Sequence, residues 1–240
     1  MKIVNYHLNS VSNVGDLASA PGLYFPEHAH EIHFADIDGA PQSEHKGVIL
    51  GGGAILQRII ERQDDFNAPT VIWGAGYTIR GASSYVPFHL QVDRYNLIGV
   101  RDFNTPYPWV PCASCLSPLF DRTYEITREY VFFENRPHGL LPYADMGNDC
   151  LDLPHVIQTL ASAETVVTSS YHGAYWATLL GRRVLAFPFS SKLFGLRHPP
   201  VMIDPAHWKG VRGQCWPDAL HECRTANLAF AERVWSLFEL

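Results

Sequence analysis

The segment Glu164-Thr165-Val166-Val167-Thr168-Ser169-Ser170-Tyr171-His172-Gly173-Ala174-Tyr175-Trp176-Ala177 joins two structural patterns in one short run of chain. Its first part is rich in β-branched residues and predicts a strand, and its last part predicts a helix. Three consecutive hydroxyl residues, Thr168, Ser169 and Ser170, stand at the junction. A buried strand that leads directly into a helix is typical of parallel α/β folds.

The same alternation of short apolar runs, turn signals and helical patterns extends along the chain, which predicts parallel sheets. The first series of predicted strands covers residues 2–6, 46–50, 70–73 and 97–100. The second covers residues 130–133, 164–168, 183–187 and 200–203, with helices predicted over 153–163, 172–180 and 223–240. A proline-rich stretch separates the two series. We therefore predict an α/β fold of two doubly wound, Rossmann-like domains, 1–124 and 125–240, with a cleft between them.

The composition excludes several classes of protein. Of the 240 residues, 47% are hydrophobic and 18% charged, which suffices for a substantial core. The formal net charge of -6 argues against broad nucleic-acid binding. The sequence has neither a signal-peptide pattern nor an apolar run of about 18 residues that could span a bilayer. We expect a cytoplasmic protein, with peripheral association at the inner face of the membrane left open.

The cysteines and histidines do not predict a metal site. Cys112-Ala-Ser-Cys115 has the spacing of half a zinc knuckle or of a redox pair, but no second pair follows. We interpret both cysteines as small buried side chains with reduced thiols. His28, His30 and His33 lack a second cluster or carboxylate at a diagnostic spacing, so we interpret them as loop or surface residues.

Glycine-containing turns follow three of the predicted strands in the first half. Ligands bind at the carboxyl ends of strands in open α/β sheets. Asn13-Val14-Gly15-Asp16 places an amide and a carboxylate there, and Asp16 can act as a base, as a sugar ligand or as a helix N-cap. In Gly51-Gly52-Gly53 and Gly74-Ala75-Gly76, backbone N–H groups of Gly52, Gly53 and Gly74 can hold an anion or a hydroxyl, or the glycines serve only the turns. The third glycine of a dinucleotide fingerprint is absent, so the pattern does not favour NAD.

Charged and hydroxyl side chains mark the remaining strand ends. Arg101, beside Asp102, can clamp a carboxylate or phosphate, the alternative being a surface ion pair. Ser169 and Ser170 can bind phosphate, and His172 in the first helical turn can transfer a proton, although a lone helical histidine more often serves packing. Two further cations, Lys192 and Arg197, follow the strand at 183–187. Either is a phosphate ligand or a solvated surface charge, and we favour the first role for Lys192 only.

Taken together and in this order, the segments 13–16, 51–53, 74–76, 101–102 and 168–173, followed by Lys192, resemble the polysaccharide pyruvyltransferase family. The resemblance spans residues 13 to about 197 and is greatest to the short ketal pyruvyltransferases of xanthan-like exopolysaccharide synthesis. It implies a GT-B-like fold, like that of the two-domain glycosyltransferases, with the active site in the interdomain cleft. It further implies phosphoenolpyruvate as co-substrate, no separate cofactor, and a saccharide acceptor that is often lipid-linked.

The resemblance also implies roles for individual residues. His172 matches the histidine that contacts the donor and acts as the acid, and Arg101 matches an arginine that holds the donor's anionic groups. Many relatives carry an arginine two positions before this histidine, where this chain has Ser170. Donor binding is therefore expected to depend more on Arg101, Lys192 or Arg197.

We expect the protein to be a transferase that forms a pyruvate ketal on a saccharide of an exopolysaccharide or cell-surface glycan. A glycosyltransferase that uses a nucleotide sugar is one alternative, since the same architecture serves that chemistry. A non-catalytic carbohydrate-binding subunit is the other. The sequence does not identify the sugar.

Overall fold

The computed structural model describes residues 2–40, 44–61, 66–136 and 144–240. Its strands form two five-stranded sheets, and neighbouring strands within each sheet run parallel. Helices pack against both sheets. The predicted α/β class with two Rossmann-like sheets is therefore confirmed.

The first sheet is built from the N-terminal part of the chain, in the strand order β2-β1-β3-β4-β5. Its strands are β1 (Lys2–His7), β2 (Ile32–Asp36), β3 (His45–Leu50), β4 (Thr70–Ala75) and β5 (Leu97–Val100). Two short helices, α1 (Val14–Leu17) and α2 (Leu56–Glu61), follow β1 and β3. The edge strand β2 was not predicted, because it alternates apolar and polar residues over only five positions.

The second sheet has the strand order β10-β9-β8-β6-β7. Its strands are β6 (Arg128–Glu134), β7 (Met146–Gly147), β8 (Ala163–Thr168), β9 (Arg183–Ala186) and β10 (Val201–Met202), and its helices are α3 (Leu153–Ala161) and α4 (Tyr171–Leu179). The predicted domain boundary, between residues 124 and 125, falls between β5 and β6. The segment 164–177 forms nearly all of β8, the junction and most of α4.

The last helix, α5 (Ala219–Leu237), returns to the first sheet. Its Phe230, Val234 and Trp235 pack into one apolar cluster with Trp73 of β4. The indole Nε1 of Trp73 also donates a hydrogen bond of 3.0 Å to the buried Asn227. The C-terminal segment thus ties the two halves of the chain together. Within the four described ranges, no helix combines the length and apolar character needed to cross a membrane.

Backbone hydrogen bonds also join the two halves beside the carboxyl ends of their strands. The N–H of Val14 in α1 donates to the carbonyl of Asn148, at 2.9 Å. The N–H of Ser191 donates to the carbonyl of Ile79 at 3.0 Å, and the Ser191 hydroxyl accepts from the N–H of Ile79 at 2.9 Å. These contacts hold the loops of one sheet against those of the other.

Candidate functional site

A pocket with a cavity volume of about 250 Å³ lies between the strand ends of the two sheets. Six residues singled out in the sequence line it: Asn13, Asp16, Arg101, Ser170, His172 and Lys192. Among the described residues, its charged lining consists of five cations and one carboxylate: Arg58, Arg80, Arg101, Arg136, Lys192 and Asp16. The excess of positive charge makes the pocket suited to an anionic ligand.

Not all of these cations are available to a ligand. The guanidinium of Arg58 pairs with both carboxylate oxygens of Asp38, at 2.7 and 3.0 Å. Arg136 pairs with Asp149 at 3.2 Å. Arg80, Arg101 and Lys192 have no ion pair with any residue the structure describes. The charge in the pocket that lacks a protein partner is therefore concentrated in these three side chains.

Arg101 directly follows β5 and is only 2% exposed. Its guanidinium lies 3.9 Å from the centroid of the Tyr171 ring. Space for it exists because residue 76 is glycine, where a β-carbon would lie 2.7 Å from Cζ of Arg101. Its Nε and Nη2 are buried and have no hydrogen-bond partner among the described residues. A buried cation without a partner is costly, so Arg101 is well suited to hold an anion.

Asp102 does not orient Arg101 by a hydrogen bond, although the two are adjacent in sequence. Its Oδ2 accepts from the backbone N–H of Tyr77 at 2.8 Å, and a β-carbon on Gly195 would lie 2.5 Å from its Oδ1. Burial raises the pKa of Asp102 to about 6, against the opposing effect of Arg101 and the hydrogen bond from Tyr77. Asp102 therefore secures the loop after β4 beside the pocket.

Lys192 lies in a short 3-10 helix after β9, with Nζ 5.0 Å from the centroid of the Phe189 ring. Burial, together with the charges of Arg101 and Arg80 and against the opposing effect of Asp16, lowers the pKa of Lys192 to about 8. The ammonium is thus charged at neutral pH in an environment that disfavours its charge. An anion bound nearby would relieve this cost.

His172 is the second residue of α4 and is 5% exposed. Its ring packs on Trp176, with centroids 5.0 Å apart, and its Nε2 lies 3.5 Å from Sγ of Cys112. Burial lowers the pKa of His172 well below its usual value, and the neighbouring Arg101 and Lys192 lower it further. The imidazole is accordingly neutral at neutral pH in the free protein.

Asp16 lies within α1, and the N-cap of that helix is Asn13. The Asn13 side chain accepts from the N–H of Gly15 at 3.0 Å and donates from Nδ2 to Oδ2 of Asp16 at 2.7 Å. Burial raises the pKa of Asp16, while Lys192 and Arg101 act to lower it. Asn13 thus takes the capping role and orients Asp16, which leaves the carboxylate to face the pocket.

The hydroxyl groups between β8 and α4 hold the local backbone. Ser170 is the N-cap of α4, and its Oγ accepts from the N–H of Gly173 at 3.3 Å. Ser169 is fully buried outside the pocket lining, and its Oγ accepts from the N–H of Asn135 at 2.9 Å. Thr168 donates to the carbonyl of Phe133 at 2.6 Å. These bonds fix the position of the first turn of α4, and with it His172.

The three candidate glycines lie outside the pocket lining. A β-carbon on Gly52 would lie 3.2 Å from Cβ of Ser19, and one on Gly74 would lie 2.9 Å from the carbonyl oxygen of Pro111. Gly53 and Gly74 have φ values of +86° and +65°, which favour glycine. Each glycine thus has a packing or backbone reason for its presence. Gly53 is the nearest to the site, since its β-carbon would lie 3.4 Å from Oδ1 of Asp16.

Arg197 also lies away from the pocket. Its Nε pairs with Glu222 of α5 at 2.8 Å. Its guanidinium lies 4.8 Å from the ring centroids of both Phe103 and Trp109. Arg197 therefore contributes to packing between the two halves, and anion binding in the pocket falls to the three unpaired cations.

Several residues in the site were not singled out from the sequence. Cys112, interpreted as a small buried side chain, is indeed buried, but it also contacts the catalytic candidate His172. Asn135 and Asn148 line the pocket and are joined by a 2.9 Å hydrogen bond. Arg80 lines its rim. No motif or spacing marks these residues, since their role depends on contacts between distant parts of the chain.

The part of the chain that the structure describes contains no group of three or more His, Cys, Asp or Glu side chains that could hold a metal ion.

Comparisons with known proteins do not indicate which ligand this pocket binds. No protein-family model matches the chain, and no curated protein matches it. Among solved structures, the chain is similar to a functionally uncharacterised protein from Klebsiella pneumoniae. The two are 16% identical, with a TM-score of 0.47 over 78% of this chain and 83% of that one. The chemistry of the pocket is therefore the basis for a functional assignment.

Proposed function

We propose that the protein is a pyruvyltransferase that takes phosphoenolpyruvate as donor, forms a pyruvate ketal on a saccharide and releases phosphate. The observation that carries the proposal is the buried, unpaired guanidinium of Arg101 in a pocket shared with Lys192 and His172. This arrangement combines an anion-binding site with a candidate proton donor. The order of motifs from residue 13 to Lys192, which resembles the polysaccharide pyruvyltransferases, supports the same assignment.

The charge of the donor fits the unpaired charge of the pocket. Phosphoenolpyruvate carries a phosphate and a carboxylate on a three-carbon skeleton. Arg80, Arg101 and Lys192 supply three positive charges without protein partners, opposed in the pocket lining by Asp16.

The reaction needs proton transfer and charge stabilisation. A proton delivered to the methylene carbon of phosphoenolpyruvate makes it a methyl group and gives the central carbon oxocarbenium character. One sugar hydroxyl attacks that carbon, the carbon–oxygen bond to phosphate then breaks, and a second hydroxyl of the same sugar closes the cyclic ketal. Of the two hydroxyl protons released, one replaces the proton now in the methyl group and the other leaves with phosphate. Cations that hold the leaving phosphate lower the barrier.

In this proposal His172 delivers the proton, and the bound donor makes that delivery feasible. The positive charges of Arg101 and Lys192 are two of the causes that lower the pKa of His172. A donor anion between these side chains offsets that effect, so donor binding raises the pKa of the imidazole and favours its protonation. Asp16, held by Asn13, accepts a hydroxyl proton or binds the acceptor sugar.

The remaining parts of the proposal come from the family resemblance. They are a GT-B-like arrangement with the active site in the cleft between the two halves, and a cytoplasmic reaction without a separate cofactor. The acceptor would be a saccharide of an exopolysaccharide or cell-surface glycan, and a lipid-linked oligosaccharide would bring the enzyme to the inner face of the membrane.

The first test is thermal stabilisation of the purified protein by phosphoenolpyruvate, with inorganic phosphate, pyruvate and a nucleotide diphosphate as controls. Selective stabilisation by phosphoenolpyruvate would support the donor assignment and justify an assay of phosphate release with saccharide acceptors. In that assay His172→Gln should abolish turnover without loss of the fold. Stabilisation by the nucleotide alone would favour a nucleotide-sugar glycosyltransferase. Saccharide binding without phosphate release would favour a non-catalytic subunit.

A further inference from the structure

A chain of buried polar groups outside the pocket lining reaches the imidazole of His172. The indole Nε1 of Trp176 donates to Oγ of Ser114 at 2.9 Å. Oγ of Ser114 lies 3.2 Å from Sγ of Cys112, and that Sγ lies 3.5 Å from Nε2 of His172. All four side chains are at most 5% exposed. The chain links residues of α4 to the proline-rich segment that precedes the second sheet.

The direction of these hydrogen bonds follows from the donors and acceptors that each group carries. An indole N–H can only donate, so the Ser114 hydroxyl accepts from Trp176. The hydroxyl proton of Ser114 then has Sγ of Cys112 as its acceptor among the described residues. A thiol that accepts from Ser114 has its own proton free for Nε2 of His172. Burial raises the pKa of Cys112, which keeps the sulfur in the thiol form.

An acceptor role for Nε2 determines which nitrogen of the neutral ring carries the proton. Neutral imidazole has one N–H, so if Nε2 accepts, Nδ1 is protonated. Nδ1 has no hydrogen-bond partner among the described residues, and it lies against Gly15, where a side chain would block it. His172 also lines the pocket. The nitrogen that bears the proton is therefore the one left to meet a ligand.

We propose that Cys112 is a positioning residue that holds neutral His172 as its Nδ1–H tautomer, with Nδ1 as the atom that exchanges protons with the ligand. The tautomer itself is a property of the free protein. Its consequence for catalysis rests on the proposed function. Conversion of the Nδ1–H tautomer to the imidazolium adds a proton at Nε2, and Nε2–H then donates to Sγ of Cys112. Transfer of the Nδ1 proton to the ligand leaves the ring as its Nε2–H tautomer, still bonded to Sγ, and a hydroxyl proton from the acceptor returned to Nδ1 restores the imidazolium. Cys112 thereby acts on proton transfer through His172 without touching the substrate.

The test is a long-range ¹H–¹⁵N correlation spectrum of the full chain with ¹⁵N-labelled histidine, recorded at about pH 8, where His172 is neutral. The signal of His172 is assigned by its absence in His172→Gln. The wild type should show the pattern of a protonated Nδ1, and Cys112→Ser, which keeps a donor, should retain it. Cys112→Val should give the Nε2–H pattern or a mixture of both. A protonated Nε2 in the wild type, or an unchanged Nδ1–H pattern in Cys112→Val, would overturn the proposal.

A second measurement links the tautomer to catalysis. If pyruvyl transfer is present, Cys112→Val should lower kcat by roughly 10- to 100-fold, a part of what a general acid contributes, with little change in KM for the donor. Cys112→Ser should recover most of the rate, and Cys215→Ser, outside the pocket lining, serves as the matched control. A kcat for Cys112→Val equal to that of the wild type would count against the proposal. Because the spectrum needs no substrate, failure of the pyruvyltransferase assignment would leave the tautomer test intact.

Discussion

Gly15 of α1 and His172 of α4 are in contact across the two halves of the molecule, and the absence of a side chain on Gly15 is what allows it. A β-carbon at Gly15 would overlap Nδ1 of His172 and lie 2.5 Å from Cγ of the ring. The neighbouring Asp16 faces the same pocket. The contact therefore brings the candidate acid of one half beside the candidate base of the other.

Gly15→Ala should displace the imidazole with little effect on the fold. The φ of Gly15 is not positive, so alanine suits its helical backbone, and the cost falls on His172. Because misplacement of a catalytic group by about 1 Å can cost 100-fold in rate, we expect a loss of phosphate release of about that size. Circular dichroism and the thermal midpoint should remain close to wild type.

Gly39→Ala is a matched control for this substitution. Its β-carbon would lie 3.2 Å from the backbone carbonyl oxygen of Asp36, and His172 is not among the residues it would contact. It should retain wild-type activity. Equal activity of Gly15→Ala and Gly39→Ala would show that the position of the imidazole against α1 is unimportant for the reaction.

The contrast between Gly15 and His172 shows how far the sequence could predict the site. The local sequence pattern, a β-branched strand followed by a helical segment, predicts that His172 lies near the start of a helix. In the structure it is the second residue of α4. The contacts of Gly15 and Cys112 with the His172 ring join segments that are distant in sequence. No periodicity in the sequence predicts such contacts. The edge strand β2 was missed for a related reason, because its short, mixed pattern acquires strand character only by pairing with β1.

The charged residues show the same division between local and tertiary information. Arg101 and Lys192 were identified by their positions after strands, and both line the pocket. Arg197 follows the same strand as Lys192, but its ion pair with Glu222 depends on the return of α5 to the first half. Which cation remains unpaired is thus decided by tertiary packing.

Arg101→Met should stabilise the protein while it removes anion binding. The substitution replaces a buried, unpaired charge with an apolar side chain, so we expect the free energy of unfolding to rise by about 1 to 2 kcal/mol, reduced by the lost contact with Tyr171. Stabilisation by phosphoenolpyruvate should disappear. Denaturant unfolding with and without the ligand measures both effects. Arg233→Met, at an exposed position on α5, should change neither, and retained ligand stabilisation in Arg101→Met would refute the assigned anion site.

Anion binding should weaken above about pH 8. Lys192 has its pKa lowered to about 8, so its charge is present below that pH and lost above it in the free protein. An anion prefers the charged ammonium, so the affinity for phosphoenolpyruvate should fall by up to about tenfold per pH unit once the lysine deprotonates. Calorimetric titrations between pH 6 and 10 would measure this. In Lys192→Met the affinity should be lower at pH 7 and show no break near pH 8, whereas the exposed Lys209→Met should behave as the wild type.

Asp102→Asn should stabilise the protein more at neutral pH than in acid. The pKa of Asp102 is about 6 in the folded protein and near 3.8 when unperturbed. Between these values the folded state binds more protons than the unfolded state, so the free energy of unfolding decreases as pH rises from about 4 to 6 and stays low above it. Asparagine has no such titration, and its side-chain oxygen can still accept from Tyr77. We expect a gain of about 1 to 3 kcal/mol at pH 7.5 that falls to about a third of that size near pH 4.5, measured by urea unfolding at both pH values. A gain of equal size at both would show that burial does not raise the pKa of Asp102, and a loss at pH 7.5 would show that its charge stabilises the loop after β4.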